Sequence, residues 1–254
     1  MILLDGITLS GQILSDIKSE IANRKSIINL HVILVGDDSA SLKYVSLKEK
    51  KCQQVGINFQ FHHLPENTTE SELLFLINQL NQDQKVTGFF VQLPLPKHIN
   101  TEILEKINPQ KDVDGLTTNS SFIPAVDVGV MSLLKSTNVN LSGKNAVIIN
   151  TSKLIGIPLQ KLLVDQNINV TLCNRSTQNL LKISRGADLL ISATGQKGLI
   201  TSKYIKPGAI VIDIGGGDVK FEEVKEKCSF ITPPIGSVGP MTIACLLKNL
   251  TMVK

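Results

Sequence analysis

The chain has 254 residues, of which 42% are hydrophobic and 19% charged, and its net charge is +4. This length suits one large domain or two modest ones with a real core, and the composition excludes a disordered chain. The basic residues are scattered and are not interleaved with aromatic residues. That pattern argues against a nucleic-acid surface and fits a protein whose ligands are anionic small molecules.

The strand and helix patterns of the first half alternate, with short β-branched runs separated by amphipathic stretches. This βαβαβ order predicts an α/β fold with a mostly parallel sheet covered by helices. The expected elements, in chain order, are a strand over 30–36, a helix carrying Tyr44 and Lys48, a strand over 57–64, a helix over 69–81, a strand over 86–93 and a short helix over 101–107.

A second series of the same kind follows a turn at 141–144. We place a boundary between two lobes near residue 138 and expect the last helix to return to the first lobe. The expected elements are a strand over 145–150, a helix over 153–166, strands over 168–174, 187–195 and 208–217, and an amphipathic helix over 242–253.

The cysteines and histidines, four of each, show neither CxxC pairs nor the spacing of metal ligands. No metal site is expected, and the cysteines should be reduced thiols. The N-terminus lacks the basic segment and apolar run of a signal peptide, and no apolar stretch approaches the ~20 residues that a membrane span needs. The sequence therefore predicts a cytoplasmic protein.

The turn after the strand at 145–150 lacks the G-x-G-x-x-G of a dinucleotide site but still joins a strand directly to a helix. Asn150 stands where a glycine would adopt a positive φ, which asparagine tolerates well. Ser152 can offer a hydroxyl, the first helix amides can bind a pyrophosphate, and Gly156 permits close helix–strand packing. The same residues are also compatible with an ordinary βα turn that binds nothing.

The end of the next strand carries no carboxylate for ribose hydroxyls; Arg175 stands there beside Ser176 and Thr177. An arginine fork beside hydroxyls suits a phosphate monoester, so if a dinucleotide binds to this Rossmann-like domain, NADP is preferred to NAD. Alternatively, one of these hydroxyls only caps the next helix. The further residues expected at the cofactor are Thr151, Thr194, Gly195, Asp213 and Gly215.

Three segments of the first lobe are expected to bring reactive side chains to one edge of its sheet. The prolines in 93–96 end a strand, which places Gln92 at its C-terminal end, where open α/β sheets build their sites. The turn 111–115 presents two carboxylates. Tyr44 and Lys48 stand four residues apart, on one helix face. The alternative is an ordinary solvated helix, because further lysines crowd the same segment.

These motifs resemble the bifunctional methylenetetrahydrofolate dehydrogenase/cyclohydrolase family. The blocks VQLPLP and KDVDG are highly specific for it, and the resemblance runs through nearly the whole chain in family order. The matching segments are 35–57, 88–99, 107–115, 211–215 and 238–242.

The resemblance implies a role for each first-lobe side chain. Tyr44 would stack on the folate ring system, and Asp114 would accept hydrogen bonds from the pterin. Lys48 would be the catalytic amine, and Gln92 would hold it and tune it. The N-terminal segment of the last helix would also bind substrate, through Gly239 and Pro240.

The resemblance also implies two reactions and an assembly. NADP would oxidise 5,10-methylenetetrahydrofolate to the methenyl form, which is then hydrolysed to 10-formyltetrahydrofolate. Residues 1–138 with 239–254 would form the folate-binding catalytic domain, and residues 139–238 the Rossmann-like NAD(P)-binding domain. The implied partners are the folate substrate and a second copy in a homodimer, with no nucleic acid and no membrane.

The chain departs from the family pattern at four places, most of them in or near the second lobe. Two alternatives therefore stay open: a cyclohydrolase with weak or lost dehydrogenase activity, and a non-catalytic folate-binding paralogue. The departures are the Asn150-Thr151-Ser152 phosphate loop, Pro124-Ala125-Val126-Asp127 with an added negative charge near the expected folate pocket, Ile235-Gly236-Ser237, and a shortened segment after Gly215.

Overall fold

The computed structural model describes residues 1–253, which divide into two compact units. Unit 1 comprises Met1–Ser10 and Val126–Thr242, and unit 2 comprises Gly11–Ala125 and the residues from Ile243 onward. Each unit contains one parallel sheet, which confirms the predicted α/β fold. The expected assignment of functions to domains, with its boundary near residue 138, stays a prediction.

Strands and helices alternate along almost the whole described chain. The strands are β1 (Ile2–Leu3), β2 (Asn29–Val35), β3 (Asn58–Leu64), β4 (Gly88–Val91), β5 (Asn145–Ile149), β6 (Asn169–Cys173), β7 (Leu189–Ser192), β8 (Ile210–Asp213) and β9 (Phe230–Ile231). The α-helices are α1 (Gly6–Ala22), α2 (Ser39–Val55), α3 (Glu70–Gln82), α4 (Ala125–Ser136), α5 (Gly156–Val164), α6 (Leu180–Ser184), α7 (Phe221–Val224) and α8 (Val238–Thr251). Short 3₁₀ helices cover Thr101–Lys106 and Ser202–Tyr204.

Unit 2 has a three-stranded parallel sheet in the order β3-β2-β4. The middle strand is buried almost throughout, since Ile33 and Val35 pack against Leu73 and Ile77 of α3. A capping box at Thr69 fixes the start of α3, because its hydroxyl and the Glu72 carboxylate each bind the other residue's amide. The sheet therefore rests on an apolar face and presents the C-terminal ends of β2 and β4.

The end of α8 packs within unit 2, as the sequence predicted. The Lys248 amine forms an ion pair with Glu20 of α1 at 2.8 Å. The Arg24 guanidinium donates to the carbonyls of Thr251 and Val253, which satisfies acceptors that a helix end leaves free. These contacts join the C-terminal helix to the N-terminal one.

Unit 1 has a six-stranded parallel sheet in the order β1-β9-β8-β7-β5-β6. Its interior strands β7 and β8 are short and apolar except for their last residues, the pattern of a parallel sheet covered on both faces. The strand β1 pairs with β9 at one edge, through Ile2–Phe230 and Leu3–Ile231. Residues 1–10 belong to unit 1, and the expected folate-binding domain of 1–138 with 239–254 stays a prediction.

The sequence interpretation missed α1 and α4. The helix α1 begins at Gly6 and has Gly11 in its interior, and α4 contains a glycine and three valines, which weakens their helical signal. All four cysteines are buried free thiols. No helix among residues 1–253 is long and apolar enough to cross a membrane.

Candidate functional site

The helix α2 positions Tyr44 and Lys48. It begins where the Asp38 carboxylate accepts a hydrogen bond from the Ser41 amide at 2.7 Å, an N-cap. It ends at Gly56, whose φ of 87° is the left-handed conformation that glycine adopts readily. Because both ends of α2 are capped, Tyr44 and Lys48 stay in regular helix and lie on the same face.

The amine of Lys48 is buried in an aromatic and polar enclosure. Lys48 is only 2% exposed. Its Nζ lies 3.9 Å from the Phe90 ring centroid and 4.8 Å from the Tyr44 ring centroid. It donates a hydrogen bond to Gln92 Oε1 at 3.1 Å. The predicted meeting of Tyr44, Lys48 and Gln92 is thus found, and the solvated-helix alternative is wrong for Lys48.

Burial changes the ionisation of this amine. Desolvation lowers the pKa of Lys48 to about 8, and the nearby Asp114 carboxylate opposes that shift. The same burial raises the pKa of Cys52, one turn further along α2, to about 12. Lys48 can therefore exchange a proton near neutral pH, whereas Cys52 stays a neutral thiol.

Gln92 is fixed at both ends of its side-chain amide. It follows β4 directly, as predicted, and its backbone N–H donates to the Ile33 carbonyl at 2.8 Å. Its Nε2 donates to the Leu93 carbonyl at 2.8 Å, next to a cis Leu93–Pro94 bond. This leaves Oε1 directed at Lys48, so the orientation of the amide is not ambiguous.

The two carboxylates of the turn 111–115 have different roles. Asp112 is fully buried, and its oxygens accept from the amides of Leu116 at 3.0 Å and Thr117 at 2.8 Å. Burial raises the pKa of Asp114, and the nearby Lys48 amine opposes that shift. Asp112 therefore shapes the loop, and only Asp114 is available beside the amine.

Unit 1 contains a cavity of about 530 Å³ at the C-terminal ends of β5, β6 and β7. Open parallel sheets bind ligands at this edge. Of the predicted cofactor residues, five line the cavity: Asn150, Thr151, Ser152, Arg175 and Thr194. Thr177, noted in the sequence beside Arg175, also lines it, and sequence reasoning missed several others, among them Cys173, Asn174, Leu180, Gln196 and Leu199. Their signal is position alone, since they lie at the end of β6 or in the segments that follow β6 and β7.

The turn after β5 is organised by the side chain of Asn150. Its Oδ1 accepts from the amides of Ser152 at 2.8 Å and Gly156 at 3.2 Å, and its Nδ2 donates to the Ala193 carbonyl at 2.7 Å. Asn150 does not have a positive φ, so that expectation is wrong; an Asx-type turn replaces the glycine conformation.

Gly156 allows the helix α5 to approach this turn. A Cβ at this position would lie 2.1 Å from the Asn150 carbonyl oxygen, which no side chain can occupy. The expected helix from 153 begins only at Gly156, because the amides just before it are bound within the turn. The predicted close packing at Gly156 is confirmed.

The hydroxyls beside Arg175 are used within their own loop. Ser176 Oγ donates to Asn174 Oδ1 at 2.7 Å, and Ser176 does not line the cavity. Thr177 Oγ1 accepts from the Asn174 amide at 2.8 Å. Neither hydroxyl caps α6, whose N-cap is Asn179, so the capping alternative is wrong. Arg175 is the exposed cation that remains at the cavity.

Two carboxylates hold the loop after β8. Asp213 accepts from the amides of Gly216, Gly217 and Val219 at 2.9–3.0 Å. Burial raises its pKa. This use of its oxygens makes Asp213 a loop-forming residue, and its cofactor role stays a prediction.

Asp218, which sequence reasoning missed, connects the loop to β7. Its Oδ2 accepts from Ser192 Oγ at 2.7 Å and from the Thr194 amide at 2.6 Å. A Cβ at Gly215 would lie 2.4 Å from Asp218 Oδ1. Gly215 therefore makes room for this carboxylate, whereas Gly195 has open space around it. Neither glycine lines the cavity.

The departure at Asp127 does not add the negative charge that we expected. Asp127 is fully buried in the first turn of α4, and neither carboxylate oxygen has a hydrogen-bond partner among residues 1–253. Burial raises the pKa of this carboxyl to about 8, so it is protonated at neutral pH. Gly239 and Pro240, the remaining predicted substrate residues, lie in the first turn of α8.

Comparisons with known families match both units of the chain. A family model described as "Tetrahydrofolate dehydrogenase/cyclohydrolase, catalytic domain" matches residues 4–114. A second, described as "Tetrahydrofolate dehydrogenase/cyclohydrolase, NAD(P)-binding domain", matches residues 124–254.

Individual relatives are similar over nearly their whole length. The "Bifunctional protein FolD" of Wolinella succinogenes is 46% identical over 272 residues, covering 98% of this chain and 95% of the relative. A crystal structure of the bifunctional enzyme FolD from Campylobacter jejuni has a TM-score of 0.92 at 45% identity and covers 98% of this chain and 97% of its own. The Trypanosoma brucei enzyme, solved with NADP and an inhibitor, has a TM-score of 0.93 at 31% identity, covering 99% and 96%.

Proposed function

The chain belongs to the tetrahydrofolate dehydrogenase/cyclohydrolase family, and we propose that it oxidises 5,10-methylenetetrahydrofolate with NADP and hydrolyses the methenyl product to 10-formyltetrahydrofolate. The buried amine of Lys48, 3.1 Å from Gln92 Oε1, is the observation that carries this proposal. An ordinary structural lysine keeps its ammonium in water, because burying it costs free energy. A buried lysine amine therefore indicates a functional role.

The folate site is proposed for unit 2, around Lys48. The half-buried Tyr44 ring is an apolar surface on which a flat pterin can stack. Asp114 offers carboxylate oxygens that match two neighbouring N–H groups of a pterin. Hydride loss from the one-carbon bridge leaves a cation that the folate nitrogens stabilise, so this step mainly requires alignment. Gly239 and Pro240 are proposed as further substrate contacts.

Hydrolysis of the methenyl group needs proton transfers that Lys48 can perform. With a pKa of about 8, roughly a tenth of the amine is neutral at pH 7. The neutral form can take a proton from an attacking water, and the ammonium can return it to the folate nitrogen as the ring opens. Gln92 Oε1 accepts a hydrogen from Nζ throughout, which fixes the direction of the amine lone pair.

The cavity in unit 1 fits a dinucleotide. It lies at a strand edge where such ligands bind, and its loops carry amide and hydroxyl groups together with one arginine. When bound, the dinucleotide supplies the hydride acceptor. Arg175 is proposed to bind the additional phosphate of NADP, because no carboxylate lies at that strand end to bind ribose hydroxyls. A structural relative was solved with NADP, which supports this choice.

A second candidate is a cyclohydrolase with weak dehydrogenase activity, and one observation favours it. In the turn after β5, the amides of Ser152 and Gly156 are both bound by Asn150 Oδ1. These are among the N–H groups that a pyrophosphate would use at a helix start. The retained buried amine argues against the third reading, a folate-binding paralogue without catalysis.

Three further expectations remain proposals. We propose that the folate-binding domain covers 1–138 with 239–254 and the NAD(P)-binding domain 139–238. The chain is proposed to act as a homodimer. It is proposed to act in the cytoplasm.

The test follows both half-reactions in the purified protein. Methylenetetrahydrofolate is mixed with NADP⁺ or NAD⁺ while reduced nicotinamide is measured, and methenyltetrahydrofolate hydrolysis is measured separately. We expect turnover with NADP⁺ and faster hydrolysis than in buffer alone. Hydrolysis without dehydrogenase turnover selects the second candidate. Absence of both activities in folded protein overturns the proposal.

A further inference from the structure

Asn249 of α8 is only 4% exposed. It is far in sequence from the residues around Lys48. Its Nδ2 donates to two carbonyls, that of Val113 at 3.0 Å and that of Ile123 at 3.2 Å. All three residues belong to unit 2. One amide group thus joins two separate loop segments, immediately before Asp114 and immediately before Pro124.

These two segments close on the backbone of Asp114. The Ala125 amide donates to the Asp114 carbonyl at 3.2 Å. Gly115 has a φ of 74°, and a Cβ there would lie 2.7 Å from the Pro124 nitrogen. The backbone around Asp114 is therefore pressed against the 123–125 segment, and Asn249 is the side chain that binds both.

The turn has other supports besides Asn249. The Phe89 amide donates to the Lys111 carbonyl at 2.9 Å, and Asp112 binds the amides of Leu116 and Thr117. None of these bonds reaches the Val113 carbonyl. Buried backbone carbonyls are rarely left without a donor. Removal of Asn249 Nδ2 would leave the Val113 carbonyl unsatisfied, which favours a shift of this segment.

We propose that Asn249 is a positioning residue, which holds the Asp114 carboxylate beside Lys48 by binding the backbone segments on either side of it. This inference rests on the proposed function in one respect, the proposed binding of folate by Asp114. The part that concerns Lys48 is independent of any substrate. Asn249 itself is not expected to contact folate.

The amine of Lys48 reports on this positioning. The groups that face it are Tyr44 and Cys52 from α2, Phe90 and Gln92 from β4 and its end, and Asp114 from the turn. Among them Asp114 is the charged one that favours the ammonium form. If Asp114 moves away, the amine loses that support and its titration shifts to lower pH.

The experiment measures the Lys48 titration by NMR in protein labelled at lysine Cε, with the resonance assigned from Lys48→Met. Asn249→Leu removes both donors, and Asn249→Ser retains one. We expect a downward shift of the midpoint toward that of Asp114→Asn, larger for Leu than for Ser. On an Asp114→Asn background, the Asn249 substitutions should add no further shift. If the Leu variant does not fold, the Ser variant carries the test.

Asn81→Ser is the matched control. Asn81 also links two backbone positions, donating to the Lys106 carbonyl and accepting from the Asn108 amide, both at 2.8 Å. It lies before the turn and does not bind the segments next to Asp114. The Asn81 variant should leave the Lys48 midpoint unchanged.

The outcomes separate this inference from the proposed function. An unchanged midpoint in folded Asn249→Ser, or an equal shift in Asn81→Ser, overturns the positioning role. In the hydrolysis assay, Asn249→Ser should raise KM about tenfold with a smaller change in kcat. A shifted midpoint of the Lys48 titration, in a protein without folate turnover, supports the positioning role and contradicts the proposed function.

Discussion

The Lys48 amine lies 3.9 Å from the centroid of the Phe90 ring, at a site where the lysine is 2% exposed. A cation–π contact and one hydrogen bond offset only part of the cost of removing an ammonium from water. The site is therefore built at the expense of stability.

Lys48→Met should raise the free energy of unfolding at pH 7 by about 1–3 kcal/mol while abolishing hydrolysis. The folded pKa is lowered, so the cost of the cation is fully present below about pH 8 and fades as pH rises toward 10.5. Denaturant unfolding at pH 7 and pH 10 checks this. A variant less stable than the wild type at pH 7, or one that still hydrolyses folate, contradicts the prediction. Lys43→Met, on the exposed side of the same helix, is the control.

Asp127→Asn should stabilise the protein at neutral pH. The folded pKa of this carboxyl is raised to about 8, so the unfolded state alone is ionised between about pH 4 and pH 8. The stability gap to the Asn variant should therefore open as pH rises through that range, reaching on the order of 3 kcal/mol. Urea unfolding at pH 5 and pH 8 measures it. Equal gaps at the two pH values refute a buried neutral acid.

Arg175→Gln should weaken NADP binding about 10- to 100-fold and leave NAD binding nearly unchanged, because only NADP carries the additional phosphate. Equilibrium titration with each dinucleotide tests this. Ser176→Ala is the control, since that hydroxyl donates to Asn174 and lies outside the cavity. A similar loss of NAD binding in Arg175→Gln shows that the arginine binds a group common to both dinucleotides.

Gly156→Ala should impair dinucleotide binding and lower stability by several kcal/mol, because its Cβ would meet the Asn150 carbonyl at 2.1 Å. Gly11→Ala is the contrasting change, since Gly11 lies within α1 with no atom near its Cβ position. That substitution should stabilise by up to about 1 kcal/mol. Thermal unfolding of both variants, with dinucleotide titration, decides it. Gly156→Ala behaving like Gly11→Ala would rule out the close approach.

The pair His31–His62 should make stability fall in mild acid. His31 Nδ1 lies 2.9 Å from His62 Nε2, and burial together with His62 lowers the pKa of His31 to about 4. Stability from this pair is fully present above pH 6.5 and is lost as pH falls toward 4. His31→Gln should reduce the pH dependence of the free energy of unfolding across that range, whereas His98→Gln, outside the pair, should not. Parallel curves for all three proteins would exclude this role.

Much of the fold was predictable because its signals are local. Buried β-branched strands and the apolar face of α3 are visible in sequence, and the four-residue spacing of Tyr44 and Lys48 determines that both lie on one side of α2. The proline-rich end of β4 similarly identified Gln92. These are properties of single elements, which sequence patterns report directly.

The roles of several polar residues could not be predicted from sequence, because they depend on tertiary packing. Asp112 and Asp114 stand two residues apart with equal chemistry, yet one binds loop amides and the other faces an amine. The neutral state of Asp127 follows from burial without partners, which no local pattern encodes. Asn150 replaced a glycine by side-chain hydrogen bonds rather than by a positive φ, an alternative that requires knowing where the neighbouring amides point.

The pairing of β1 with β9 has a consequence for synthesis on the ribosome. The Ile2 amide donates to the Ser229 carbonyl at 2.7 Å, so one edge of the unit 1 sheet joins segments that are made far apart in time. At 5–20 residues per second, the nascent Ile2–Leu3 segment waits roughly 10 to 50 seconds for its partner strand. During that interval the Ile2–Leu3 segment has no partner strand, and this growing chain is the form of the protein that a chaperone would meet.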